Sequence, residues 1–354
     1  MVTLEELLRV MVDRKGSDLH LTAGSPPRIR VDGALLPTEY ELLDSEATQK
    51  IIYSILDNEQ IAKFESEKEL DMSFGIGGIG RFRVNVFYQR GAVGSVLRVI
   101  PYEIKSFEQL GVNRETCERL CKLPKGLVLV TGATGSGKST TLASMIDFIN
   151  QSEPCHIITI EDPIEFVHRN KMSLVNQREV GPDTHNFGAA LKHVLRQDPD
   201  VVLVGEMRDM ETIELGLTLA ETGHLTFATL HTSNCVQTIN RIIDVFPAEQ
   251  QSQIRTNLSF VLEGVFCQQL LPVNGGKGRA LAAEVMLPND AIRANIRDDK
   301  IHQIYGSIQL GQKVGMMTMN MALFDIYRAG KITYETALSF SHNPEDLKKT
   351  FEKH

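Results

Sequence analysis

The 354-residue chain lacks any apolar run approaching the roughly eighteen residues that a membrane span requires, so no membrane insertion is expected. It lacks positive charge as well. Lys and Arg number 37 against 45 Asp and Glu, a formal net charge of −8, and the pI is about 5.7. An acidic total argues against a general polyanion-binding surface, and the aromatic-rich basic segments that stack single-stranded bases are missing, so no nucleic-acid partner is expected. Cysteine is too scarce and too scattered for a disulfide framework: Cys117, Cys121, Cys155, Cys235 and Cys267 are odd in number and mostly in apolar surroundings, which suits a reducing compartment. Cys117 and Cys121 sit four apart on an expected helix, but no second pair completes a zinc tetrad, and they read as buried thiols. The N-terminus has no signal-peptide layout, and no repeat, heptad array or low-complexity run suggests a solenoid or coiled coil. These absences leave an ordinary globular protein, cytoplasmic or peripheral on a membrane.

What is present is a strand running straight into G-x-x-x-x-G-K-[ST]. Leu127 to Val130 is a short apolar run suited to a buried parallel strand, and TTLASMIDFIN reads as the following helix. Gly132, Ala133, Thr134, Gly135, Ser136, Gly137, Lys138, Ser139 and Thr140 would cradle the phosphates of ATP. Backbone N–H groups and the positive helix N-terminus face the anion, Lys138 reaches the β- and γ-phosphates, and the Ser139 hydroxyl holds Mg²⁺.

Upstream, Thr3-x-x-Glu6 is a capping box opening a helix with Leu4, Leu7, Leu8 and Met11 on one face. SDLHLT is a strand, RIRV and ALLP form a hairpin about Asp32-Gly33, and SEATQKIIYSILD and NEQIAKFESE look helical. GRFRVNVFYQRGAVGSVLRVIP is a second hairpin, with Phe82, Val84, Val86 and Tyr88 on one face, ended by Pro101. This gives a small α+β domain over 1–101 and a linker over 102–112. From 113 to 354 the expected class is α/β, a mostly parallel sheet with strands GLVLVT, HIITIE, SLVNQ, DVVLVG and LTFATLH alternating with helices. Beyond residue 247 the pattern is mostly helical apart from the strand RALAAEVML, with a helical C-terminal region from about 288.

Strand C-termini in such a sheet converge on the ligand. Glu206, just past DVVLV, could orient and deprotonate a water attacking the γ-phosphate. Glu161, Asp162 and Glu165 end HIITIE with enough carboxylate to hold Mg²⁺ through water. His224 and His231 lie at an odd offset along one strand, so they face opposite ways and form no common metal site. His231 is the better placed to sense the γ-phosphate, His224 faces another domain or subunit, and a satisfied core histidine is the alternative for each. Arg83 and Arg98, on strands expected to be adjacent, could neutralise charge on a transferred phosphoryl group, against the plainer reading of solvated surface arginines.

Taken together, GATGSGKST (132–140), ITIEDPIEF (158–166), PDVVLVGEMRD (199–209) and GHLTFATLHT (223–232) resemble the Walker A, aspartate box, Walker B and histidine box of the secretion ATPase superfamily, specifically its type IV pilus retraction branch. The resemblance covers nearly the whole chain. It implies a PAS-like N-terminal domain, a RecA-like P-loop NTPase domain, and a cytoplasmic homohexamer at the inner face of the membrane. Such a ring hydrolyses ATP to drive pilin disassembly and twitching, with an inner-membrane platform protein and a paralogous retraction ATPase as partners. It further implies Glu206 as catalytic base, Glu161 and Glu165 assisting at the metal, and Arg83 and Arg98 approaching the nucleotide in cis or in trans. The alternatives are an extension or type II secretion ATPase, whose tetracysteine motif is absent, or a nucleotide-binding accessory subunit of such a motor, against which the intact Glu206 argues; AIRANIRD (291–298) resembles the retraction branch's AIRNLIRE with three changes. That stretch reads as an amphipathic helix exposing Arg293 and Arg297. One departure stands out: the Walker B position usually holding a magnesium aspartate is Gly205.

Overall fold

The computed structural model describes residues 2–100, 103–276 and 278–353, and divides into two compact units, Met1–Glu103 and Ile104–His354. The expected hairpin stop at Pro101 lies outside the described residues. In the first unit α1 (Leu4–Asp13) starts at the Thr3–Glu6 capping box and buries Leu4, Leu7, Leu8 and Met11, as its i, i+3, i+4, i+7 spacing requires. It is followed by β1 (Asp18–Leu21), β2 (Arg28–Val31), β3 (Ala34–Pro37), α2 (Ser45–Tyr53), α3 (Asn58–Glu67), β4 (Glu69–Ile76), β5 (Gly80–Gln89) and β6 (Ala92–Ile100). The strands form one antiparallel sheet in the order β3-β2-β1-β6-β5-β4. Phe82, Val84 and Val86 are buried on one face of β5, while Tyr88 on the same face stays partly exposed, stacked on Phe64 at 4.7 Å. Strand β4 was not expected, although Leu70, Met72, Phe74 and Ile76 alternate with Glu69, Asp71, Ser73 and Gly75.

The second unit carries the α/β architecture expected. It contains α4 (Phe107–Leu110), α5 (Arg114–Cys121), β7 (Gly126–Thr131), α6 (Lys138–Ser152), β8 (His156–Glu161), β9 (Leu174–Glu179), α7 (Phe187–Val194), β10 (Val201–Val204), α8 (Met210–Glu221) and β11 (Leu225–Leu230). There follow α9 (Cys235–Asp244), α10 (Ala248–Val261), β12 (Leu262–Pro272), β13 (Arg279–Met286), α11 (Asp290–Arg297), α12 (Ile304–Leu310), α13 (Met319–Arg328), α14 (Tyr334–Phe340) and α15 (Pro344–Lys353). The sheet runs β13-β12-β7-β11-β10-β8-β9, parallel throughout except for the edge strand β13. Every residue of β7, β10 and β11 is buried, which is why these segments read as continuous apolar runs.

The expectation of helix between residue 247 and the RALAAEVML strand is corrected by β12, an 11-residue strand lying between β7 and β13. The expected linker holds a short helix, α4. All five cysteines are free thiols, and four are buried. Among the described residues, the one cluster of possible metal ligands is Cys235, Cys267 and Glu284. Its carboxylate is already committed: Glu284 Oε1 accepts from Cys235 N at 2.8 Å and Oε2 from Met319 N at 3.4 Å, so it closes the N-termini of α9 and α13.

Candidate functional site

Four adjacent strands, β7, β11, β10 and β8, end on the same side of the sheet. Their C-terminal ends lead into the glycine loop, His231, Gly205-Glu206 and Glu161 respectively. Thr134, Gly135, Gly137, Lys138, Ser139, Thr140, Glu161, Glu165, Glu206 and His231, ten of the residues singled out from sequence, line a single cavity of about 520 Å³. Gly132, Ala133 and Ser136 complete the loop without lining the cavity. His224 lies at the opposite end of β11, where its Nδ1 approaches Leu219 O at 3.1 Å and Thr222 Oγ1 at 3.2 Å. Arg83 and Arg98 belong to the other unit, where they are register partners on β5 and β6. Arg98 Nε donates to buried Asp18 at 2.7 Å.

The loop is shaped for an anion. Gly132, Gly135 and Gly137 all have positive φ, and at Gly132 a Cβ would stand 2.4 Å from Gln268 O. Helix α6 begins with no side-chain cap at Gly137, leaving its first N–H groups free to bind phosphate oxygens. Lys138 Nζ donates to Gly132 O at 2.9 Å and Ala133 O at 3.2 Å. Burial pulls its ammonium below the usual lysine range, against the opposing pull of Glu206 and Glu165. Beneath the loop, Gln268 on β12 donates to Thr141 Oγ1 at 2.8 Å and is almost fully buried. Sequence reasoning missed Gln268 together with its strand.

Glu206 is placed by backbone. Thr229 Oγ1 donates to Gly205 O at 2.5 Å, Met207 N donates to Thr229 O at 3.0 Å, and the Met207 side chain is buried against Gly216, where a Cβ would come within 2.8 Å of its sulfur. Asp209 then caps α8 through a reciprocal pair with Thr212. The loop between β10 and α8 is thus held at both ends while Glu206 faces the cavity. Its Oε2 lies 2.7 Å from Arg208 and its Oε1 3.1 Å from His231 Nε2. Burial raises this carboxyl, but the hydrogen bond from Arg208 and the charge of His231 outweigh it and hold the carboxyl below the usual range.

Glu161 has the opposite balance. Burial raises its carboxyl, only partly opposed by hydrogen bonds from Thr159 Oγ1 at 2.7 Å and Gln177 Nε2 at 3.2 Å, both to Oε1. The same cavity is lined by Asp162, Phe187, Thr229, Leu270 and two arginines, Arg208 and Arg279. Arg208 had a legible signal, standing two residues beyond Glu206 in the same motif. Arg279 had none, since it reaches the loop from edge strand β13, donating weakly to Gly135 O at 3.4 Å. On α11, Arg293 is not exposed as expected: it donates to Ser259 O at 2.7 Å and Glu263 Oε1 at 3.0 Å, while Arg297 lies over the exposed Phe260 ring at 5.9 Å.

Residues 2–313 match the family described as type II/IV secretion system protein. The chain is 49% identical over 97% of its length to the type IV pilus retraction ATPase PilT of Pseudomonas aeruginosa, covering 99% of that protein. It is 42% identical over 97% of its length to the type IV pilus ATPase PilU of the same organism, covering 90% of it. A crystal structure of the pilus retraction motor PilT with bound ADP superposes with a TM-score of 0.92 at 50% identity, covering 99% of this chain and 100% of that one.

Proposed function

The chain belongs to the type II/IV secretion system protein family, and we propose that it is the ATP-hydrolysing motor of type IV pilus retraction. The observation that carries this reading is the single cavity that gathers an uncapped glycine loop and Lys138 with Glu206 at the ends of adjacent parallel strands. Lys138 and the free N–H groups of α6 bind the β- and γ-phosphates. Glu206 orients the attacking water and takes its proton, and His231 sits against Glu206 where it can report the state of the γ-phosphate. Ser139, with Glu161 and Glu206 acting through water, would hold Mg²⁺, which when bound neutralises charge on the phosphates. Glu165 adds a further carboxylate at the same wall.

Arg83 and Arg98 supply positive charge from the N-terminal unit, of the same subunit or the next, and His224 faces a neighbouring domain or subunit. In this reading the protein works as a homohexamer in the cytoplasm, at the inner face of the membrane. It acts on an inner-membrane platform protein, with a paralogous ATPase as a further partner, and domain closure on nucleotide supplies the movement. High identity along the full length to a retraction ATPase favours this over pilus extension or secretion. Lys138→Ala and Glu206→Ala should each abolish most steady-state phosphate release. A variant that keeps its turnover would remove that residue from the mechanism. Deleting the gene should leave cells piliated but unable to twitch, and bald cells would point to extension instead.

A further inference from the structure

Both carboxylate oxygens of Glu206 are occupied. Oε1 faces His231 at 3.1 Å and Oε2 faces Arg208 at 2.7 Å, so each oxygen already has a partner that favours the charged carboxylate and makes it a weaker acceptor for a proton from water. The two partners differ in what holds them. His231 stands directly at the end of a buried strand. The Arg208 backbone is fixed, its carbonyl accepting from Arg241 at 3.2 Å in the braced loop ahead of α8, but its side chain is 66% exposed. Its guanidinium therefore has a fixed root and a solvent-exposed head. That head lines the same cavity as Lys138 and Ser139.

We propose that Arg208 is a γ-phosphate ligand of the same subunit, which rests on Glu206 when the site is empty and transfers to the phosphate when a nucleoside triphosphate arrives. This rests on the nucleotide-site reading above and adds a residue to it. The exchange is driven by charge. The guanidinium, with five N–H donors, is paired with the Glu206 carboxylate at rest and attracted from further off by Asp162, and a terminal phosphate offers more negative charge and three oxygens in a geometry suited to its fork. Transfer frees Glu206 Oε2 at the moment a water needs a base, so one side chain links occupancy of the γ-position to release of the general base. A diphosphate lacks that terminal group and leaves Arg208 on Glu206. The cavity's composition favours such an exchange: beside Glu161, Asp162, Glu165 and Glu206 its lysine and arginine lining is Lys138, Arg208 and Arg279, so an incoming triphosphate has few permanent cations to draw on.

The test is nucleotide binding to the purified full-length protein, using a fluorescent non-hydrolysable triphosphate analogue and the matching fluorescent ADP. Arg208→Ala should weaken the triphosphate analogue about tenfold more than ADP, as expected for loss of one charge-assisted contact, and kcat should fall as well. The same selective loss should persist in a Glu206→Gln background, because the contact is to phosphate. Arg208→Lys should restore part of the triphosphate preference. Equal weakening of both nucleotides, no weakening of either, or a selective loss that disappears in the Glu206→Gln background would overturn the proposal. Should Arg208→Ala fail to fold by circular dichroism, Arg208→Lys and Arg208→Gln serve the same comparison. A wild-type protein that binds neither nucleotide would refute the nucleotide-site reading itself, a distinct outcome.

Discussion

Gly205 occupies the position at which the resembling family usually carries an aspartate, and its surroundings predict what a side chain there would cost. A Cβ at Gly205 would lie 3.0 Å from Ile160 O, 3.1 Å from Glu161 Cα and 3.6 Å from Phe187 Cε1. The two closest atoms are backbone of β8, and Gly205 N itself donates to Ile160 O at 2.7 Å, so neither can turn aside as a flexible side chain would. Strands β8 and β10 must instead part by a few tenths of an ångström. Overpacking of this kind costs about 1–3 kcal/mol, and each kcal/mol lowers the melting midpoint of a domain of this size by roughly 2–4 °C. The same parting moves Glu206 relative to Glu161. Misplacement by about 1 Å can cost roughly a hundredfold in rate, so a few tenths should lower turnover roughly fourfold in Gly205→Ala, and further in Gly205→Asp. Thermal unfolding followed by circular dichroism and steady-state phosphate release measure the two effects. If Gly205→Ala melts with the wild type and turns over as fast, close approach is not the reason for glycine here.

Glu284→Ala leaves the N–H groups of Cys235 and Met319 without their acceptor and opens a buried cavity, so urea unfolding should show a loss of about 2–4 kcal/mol; a loss below about 1 kcal/mol would remove the clamp reading. Burial pushes the Cys117 thiol up to about 12 and the Cys121 and Cys235 thiols well up; it raises Cys155 as well, but Cys155 is the one cysteine not fully buried. A chromogenic thiol reagent at mildly alkaline pH should therefore label Cys155 in the native protein and the others only on unfolding, and rapid native labelling of Cys117 would contradict the packing. Burial also pulls His168 from 6.5 to about 4. The unfolded chain then binds the extra proton between those values, so the folded state is favoured in full above pH 6.5 and loses this stabilisation as pH falls towards 4, by up to about 1.4 kcal/mol per pH unit. Urea midpoints at several pH values should show that slope in the wild type and a shallower one in His168→Gln; identical slopes would assign the acid sensitivity elsewhere.

The parts of the site that sequence revealed share one property: each follows directly upon an apolar run. The loop after β7, Glu161 after β8, Glu206 after β10 and His231 after β11 are read by counting past a buried strand, and parallel pairing of those four strands does the rest. Arg279 is brought to the loop by a different route. It enters on β13, the antiparallel edge strand, which is placed by β12, and β12 itself follows α10 with no turn between them. Val261 closes the helix and Leu262, with φ −71° and ψ 123°, is already extended. No glycine or proline falls at the boundary itself, Gly264 standing two residues inside the strand at a bulge against β7, and LEGVFCQQLLP is otherwise apolar enough to continue a buried helix, so the boundary follows chiefly from the vacant place beside β7. Gln268 and Arg279 were hidden for that one reason. Arg208 differs from both: it stands in plain view two residues beyond Glu206, but only the geometry shows both oxygens of that carboxylate engaged. An arginine two residues from a carboxylate reads as surface charge until both oxygens of that carboxylate are seen to be engaged, and the exchange proposed for Arg208 starts from that geometry.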